Sequence, residues 1–149
     1  MANSGVAGYV GGGYDSTTIS GINKLTFSSE AISTLSATLT TARQLLAGMA
    51  NSGTAGYFGG GENSSYQPIN EIDKITFPAD TKSALSATLT SPRSRLAAMA
   101  VSGIAGYFGG GYDPVPLSDI DKITFQTDTK STLSATLTTA RHQLAATAA

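Results

Sequence analysis

The chain has no cysteine and no tryptophan, a single histidine, and charged side chains at only 13% of its positions. The missing thiols exclude a disulfide framework and thiolate zinc sites. With His142 as the sole histidine, no site needing two imidazoles forms within one subunit, and a Ser-His-Asp triad is disfavoured. Nine basic residues stand against ten acidic ones, for a formal net charge of −1. No bulk field therefore gathers nucleic acid or an anionic membrane. No apolar run approaches the roughly 20 residues that span a bilayer as a helix. Met1–Val10 has neither the basic start nor the long apolar centre of a secretory leader. Ser, Thr, Gly and Ala fill the space instead. Such a surface suits virion, extracellular or glycan-facing proteins, with a cytoplasmic location left open.

What is present is one unit written three times, over approximately 1–48, 49–98 and 99–149, as a single repeat domain. Ala55–Gly61 and Ala105–Gly111 both read Ala-Gly-Tyr-Phe-Gly-Gly-Gly, and Ala7–Gly13 differs only in Val10. Ile22–Phe27 recurs as Ile72–Phe77 and Ile120–Phe125; Leu35–Leu39 recurs as Leu85–Leu89 and Leu133–Leu137. Arg43, Arg93 and Arg141 then each open a short apolar run. A fixed period of this length marks a stacked or radial array. Residues shared by the copies are expected to build the frame; residues that differ are where a site would be written.

The middle copy shows what one unit forms. Arg93–Ala100 and Ile104–Phe108 are short apolar runs joined by Val101-Ser102-Gly103, the pattern of a β-hairpin. The three glycines end the second strand where the chain turns or is closely approached. A third strand is expected over Asp119–Phe125, followed by the turn-rich Gln126–Lys130. A fourth is expected at about Thr132–Leu137, where Thr and Leu suit a pleated surface. Four strands in up-and-down order make one small antiparallel sheet per copy, and the protein is expected to be all-β.

The order Pro92-Arg93-x-x-Leu96-Ala97-Ala98, a glycine-terminated strand, then Ile120-Asp121-Lys122-Ile123-Thr124-Phe125 with Asp128-Thr129-Lys130 resembles the kelch-type repeat of β-propellers, and in particular the degenerate kelch-like arrays of bacterial and phage proteins. The resemblance covers the whole chain. Phe27, Phe77 and Phe125 stand where the family usually has Tyr, and Thr34-Leu35, Ala84-Leu85 and Thr132-Leu133 stand where it has Trp. It implies three four-stranded kelch-like blades. The family's oxidases and sialic-acid isomerases carry their catalytic groups on blades and insertions that have no counterpart here.

Propellers typically need four to eight blades. Met1–Gly5 matches Met49–Gly53, so the chain is expected to begin after a first strand, and Arg141–Ala148 to supply that strand at the other end. Unpaired strand edges recruit other chains. The expected solution is a homodimer in which Arg141–Ala148, with Leu144 and Ala146 in the closing strand, pairs beside Gly5–Gly11 of the twin, giving six blades. Ala-rich strands would lie nearest the axis. A β-trefoil or a β-prism, each closing as a monomer, is the alternative.

The copies differ most between the glycines and the Ile-x-Lys strand. Met1 to Met49 and Met99 to Thr147 span 48 residues, Met49 to Met99 spans 50, and the extra two lie in that loop. Variable loops on a fixed frame collect binding residues. Tyr14 and Asp15, then Glu62, Asn63 and Tyr66, then Tyr112 and Asp113 offer rings to stack on a sugar and oxygens to accept its hydroxyl hydrogen bonds. The alternative is that they are plain solvated turns. Arg43, Arg93 and Arg141 are expected to satisfy carbonyls or a nearby acid (Asp73 or Asp121, or else Asp80 or Asp128), and Lys24, Lys74 and Lys122 to form a solvated stripe. Asp and Glu are expected mainly in turns, bonding the local backbone. No carboxylates pair as acid and base, and Gly11–Gly13 lacks the Gly-Lys-Ser/Thr ending of a phosphate loop. The expectation is a non-enzymatic, homo-oligomeric interaction module without metal or cofactor. It would recognise a glycan or receptor at a phage or bacterial surface, with a self-assembling structural unit or a protein–protein adaptor as alternatives.

Overall fold

A computed structural model describes residues 1–148; Ala149, the end of the third repeat, lies outside the described residues. Its elements are all strands: β1 (Ala2–Asn3), β2 (Ala7–Gly11), β3 (Tyr14–Asp15), β4 (Thr17–Thr18), β5 (Ile22–Thr26), β6 (Ala31–Thr34), β7 (Ala47–Asn51), β8 (Ala55–Gly59), β9 (Ile72–Thr76), β10 (Thr81–Ala84), β11 (Ala97–Val101), β12 (Ala105–Gly109), β13 (Ile120–Thr124) and β14 (Thr129–Thr132). They form three separate four-stranded antiparallel sheets, β1-β2-β5-β6, β7-β8-β9-β10 and β11-β12-β13-β14, and the ribbon β3-β4. The described residues contain no helix, so none is long and apolar enough to cross a membrane.

Local chemistry sets each turn. The β7–β8 hairpin closes with Thr54 N–H donating to the Asn51 carbonyl, and Gly53 takes the left-handed conformation there at φ 76°. The turn before the last strand of each sheet uses Glu30, Asp80 or Asp128 at φ 52–55°, a conformation that aspartate tolerates better than most non-glycine residues. All three runs of glycines are forced by a close approach, since Gly12, Gly60 and Gly110 each face the carbonyl oxygen of Arg43, Arg93 or Arg141. A Cβ on Gly60, at φ 65°, would lie 2.6 Å from the Arg93 carbonyl oxygen.

The middle sheet is covered on both faces, and every residue of β8 is buried. Met49, Tyr57, Phe108, Ile123 and Phe125 form the core between the second and third sheets; Tyr9, Ile22, Phe58, Ile75 and Phe77 form the one between the first and second. The packing is of large side chain against glycine. Phe58 rests on Gly11 and Phe108 on Gly59, while Met1 covers Gly56 and Met49 covers Gly106. Tyr9 stacks on Phe77 at 4.7 Å and Tyr57 on Phe125 at 5.1 Å between ring centroids.

Two expectations need correction. The fourth strand is Thr129–Thr132 and not Thr132–Leu137. The Leu-Ser-Ala-Thr-Leu run instead leaves the ladder and packs over the glycines of its own sheet, Leu39 against Gly12 and Leu89 against Gly60, before the chain crosses to the next sheet. Thr and Leu there answer to packing and not to ladder membership. The first sheet does have an edge strand, since Ala2 pairs with Gly8, Asn3 with Ala7, and Tyr9 N–H donates to the Met1 carbonyl. Only Val10 and Gly11 keep an open edge for the expected closing strand. Arg141–Ala148, whose expected strand partner is a second copy, lies outside any strand in the single chain; Gly111 N–H donates to the Arg141 carbonyl and Gln143 N–H to that of Arg95.

Candidate functional site

Two arginines lock the joints between sheets. Arg43 and Arg93 are fully buried. Each leads out of a crossing segment and reaches an aspartate on the third strand of the next sheet. Arg43 donates through Nη1 to Glu71 Oε2 (3.0 Å) and through Nη2 to Asp73 Oδ2 and the Phe58 carbonyl (both 3.1 Å). Arg93 donates through Nη2 to Asp121 Oδ2 (2.5 Å) and through Nη1 to the Gly110 and Asp119 carbonyls (both 3.3 Å). The remaining lone pairs are filled. Thr40 donates from its N–H and hydroxyl to Asp73, and Thr90 does the same to Asp121. Lys82 lies 3.4 Å from Asp73 and Lys130 lies 3.7 Å from Asp121. The aspartates that pair with the arginines are therefore Asp73 and Asp121, on strands, the first of the two expected pairs, and not Asp80 and Asp128 in the turns.

Burial alone would push the Asp121 carboxyl up. The Thr90 hydroxyl and N–H, Thr132 and the Arg93 charge outweigh it, and the group sits below its ordinary 3.8. A group with a lowered folded-state pKa contributes stability above its unfolded value and loses it as the pH falls through the lowered one. Asp121→Asn is thus expected to be less stable than the native chain at pH 7, with the gap closing below about pH 4. Urea unfolding across that range measures it; a gap that stays constant would remove Asp121 from the acid limb. For Arg43, burial lowers the pKa, opposed by Asp73 and Glu71.

Asp80 and Asp128, in the turns, serve another pair. Lys24 Nζ lies 2.6 Å from Asp80 and Lys74 Nζ 2.6 Å from Asp128. The Tyr9 hydroxyl donates to Asp80 at 2.7 Å and that of Tyr57 to Asp128 at 2.8 Å. Burial and these bonds raise both tyrosine pKa values. Lys24 and Lys74 are thus partly covered joint residues, each 5.6–5.7 Å above a tyrosine ring, and not a solvated stripe. Lys122 has no such acid partner among the described residues.

The variable loops divide. Tyr14 and Tyr66 are exposed and flank a cleft of about 110 Å³ with Ser16, Thr17, Gln44 and Asn63. Asp15 lies on the exposed ribbon beside them. Glu62 is buried and accepts from Gln44 Nε2 at 3.0 Å. Asn63 Oδ1 accepts from the Ser65 and Gln67 N–H groups, holding its own loop. Tyr112 meets His142 edge-on at 5.2 Å and Arg95 at 5.7 Å, and Asp113 is half-buried after it. The structure thus brings Tyr14 and Tyr66 together and keeps Tyr112 in a different setting. Sequence reasoning missed that Glu62 replaces the tyrosine of its sister loops as a packed residue; its position directly after Gly59–Gly61 was the available signal. Phe77 and Phe125 are buried, whereas Phe27 is exposed.

The two ends of the row of sheets are uncovered. Val10 is 70% exposed where Phe58 and Phe108 are buried, and Met99 is 36% exposed where Met49 is 3%. Beside Met99, the outer face of the third sheet forms a hollow of about 330 Å³ lined by Val101, Tyr107, Ile120 and Leu133. Arg141, the counterpart of two buried arginines, is exposed.

No protein-family model matches the chain, and none of the curated proteins matches it. Residue chemistry therefore carries the functional reading.

Proposed function

We propose that the chain is a non-enzymatic binding module, half of a six-bladed kelch-like β-propeller that a second copy completes. In this reading each sheet is a blade and the rim loops contact a neutral glycan or surface receptor. One observation carries it: the two uncovered ends fit each other by the rules that govern the internal joints. Phe58 fills the space over Gly11 and Phe108 that over Gly59, while Gly109 has only Ile120 near its Cβ position and Val10 protrudes. Met1 and Met49 cover Gly56 and Gly106, while Gly8 has no methionine side chain over it, only Phe27 of its own sheet, and Met99 protrudes. In the same register, Glu30 of the second copy would receive the Tyr107 hydroxyl and Lys122, as Asp80 and Asp128 receive their partners. Phe27 of that copy would stack on Tyr107, as Phe77 does on Tyr9.

The contact is head-to-tail, and two copies close it if three sheets subtend half a turn. Native mass spectrometry should then give twice the chain mass of 15.1 kDa. Val10→Asp, which would bury an unpaired charge over Gly109, should return the chain to single copies. A compact single copy of the native chain at all concentrations would sink the reading and favour a trefoil or prism. Ligand contact is separate. Tyr14→Ala with Tyr66→Ala should abolish glycan-array binding and leave the mass unchanged. A purely structural unit is the second reading, favoured by the burial of Glu62 and the different setting of Tyr112, which leave no uniform ring of rim groups. Glycan-array signals absent from the native chain would select it.

A further inference from the structure

The two ends match in shape and aromatic stacking, but their charges do not. At the first internal joint, Arg43 and Lys82 face Asp73 and Glu71. At the second, Arg93 and Lys130 face Asp121, and Asp119, which stands at the place of Glu71, accepts from Arg93 through its carbonyl oxygen. By residue, each joint sets two cations and two acids at these places. The register Ile22–Phe27, Ile72–Phe77 and Ile120–Phe125 fixes what the first repeat carries at those places: Asn23 for the strand aspartate, Gly21 for Glu71 and Asp119, and Ile32 for the lysine. One lysine and two carboxylates are gone together. At those places, a joint built from Arg141 of one copy and the first sheet of another would hold one positive charge and no acid, the Glu30–Lys122 pair of the same junction balancing itself.

An arginine closed into such a joint without a counter-charge is strongly unfavourable. The joint also has room, because Gly21 leaves empty the volume that the Glu71 side chain occupies. We propose that each junction between copies binds a small oxyanion, held by the Arg141 guanidinium of one copy against the Asn23 amide and the Gly21 backbone of the other, with Thr138 standing where Thr40 and Thr90 donate. The guanidinium fork matches a phosphate or a carboxylate edge-on. The proposal rests on the ring reading above. It makes that ring responsive to its anion, because a ligand that binds only the assembled form shifts the assembly equilibrium.

The dissociation constant of the dimer, followed by light scattering at constant ionic strength set with chloride, tests it. Inorganic phosphate at tenfold its own dissociation constant should tighten the native dimer about a hundredfold, roughly tenfold from each of two junctions. Acetate in a parallel arm separates a carboxylate source from a phosphate source: whichever anion acts at the lower concentration names the class. Asn23→Asp supplies the missing charge in place. Asn23 is exposed in the single chain, so the variant keeps its fold. It should dimerise without added anion and lose the response, and Arg141→Gln should also lose it. A native dimer indifferent to both anions, or one whose response survives Asn23→Asp, overturns the site while leaving the ring intact. A chain that never dimerises fails the ring reading first and the site with it.

Discussion

Arg93→Met will lower the unfolding free energy by about 3–5 kcal/mol, the range seen when one partner of a buried ion pair is removed. The side chain is fully buried and spans two sheets, tying the Gly110 and Asp119 carbonyls to Asp121 Oδ2. Its loss leaves the Asp121 charge buried with Thr90 and Thr132 donors alone close by, since Lys130 stands 3.7 Å away at the partly exposed edge. Adding Asp121→Asn to the same chain should therefore cost less than the sum of the two single changes, because the second change removes the stranded charge. Urea denaturation of the four chains gives the coupling directly. Additive losses would mean that each side chain is held by its other partners. Arg141→Met provides the contrast. It is exposed in the single chain, and its effect there should stay within about 0.5 kcal/mol.

That contrast also shows how far the sequence could be read. The repeat, the four strands per repeat and the all-β architecture follow from residues whose neighbours are local: glycine at the hairpin turns, alternating Ile and Lys, Asp at a left-handed turn. The pairing of Arg93 with Asp121 was within reach as well, since both recur at fixed spacing and one buried charge requires another. What did not follow was anything set by the adjoining sheet. Lys24 looks like a solvated stripe residue until Asp80, 56 positions away, closes on it. Leu85–Leu89 has the composition of a strand, yet Leu89 is drawn to the glycine of its own sheet and the run becomes a crossing segment. Glu62 reads as a rim acid and is packed under Gln44. The loops were visible as variable; which of them face water depended on contacts between repeats, and no pattern within one repeat encodes those.

The same position read in three repeats yields the second large effect. Phe108→Ala should cost about 3–5 kcal/mol, since the ring is fully buried and a truncated side chain leaves a cavity between two sheets that cannot collapse onto a strand ladder. Its terminal atoms fill the place where a Cβ on Gly59 would stand, at 2.6 Å from Cζ. Glycine and phenylalanine are thus one fitted pair, and Gly59→Ala should be destabilising from the other side, with no relief available because Phe108 is hemmed in by Tyr57 and Ile72. Val10 occupies the equivalent place in the first repeat and touches water. Val10→Ala should change the unfolding free energy by less than about 0.5 kcal/mol in dilute single chains. If Val10 of one copy enters the space over Gly109 of another, that small cost must grow with protein concentration, because the contact exists only in the assembled state. Denaturation curves for Phe108→Ala should be the same at all concentrations in their difference from native, and those for Val10→Ala should not. A concentration-independent Val10→Ala would leave the exposed valine as surface and the glycine opposite it as a strand-end residue only.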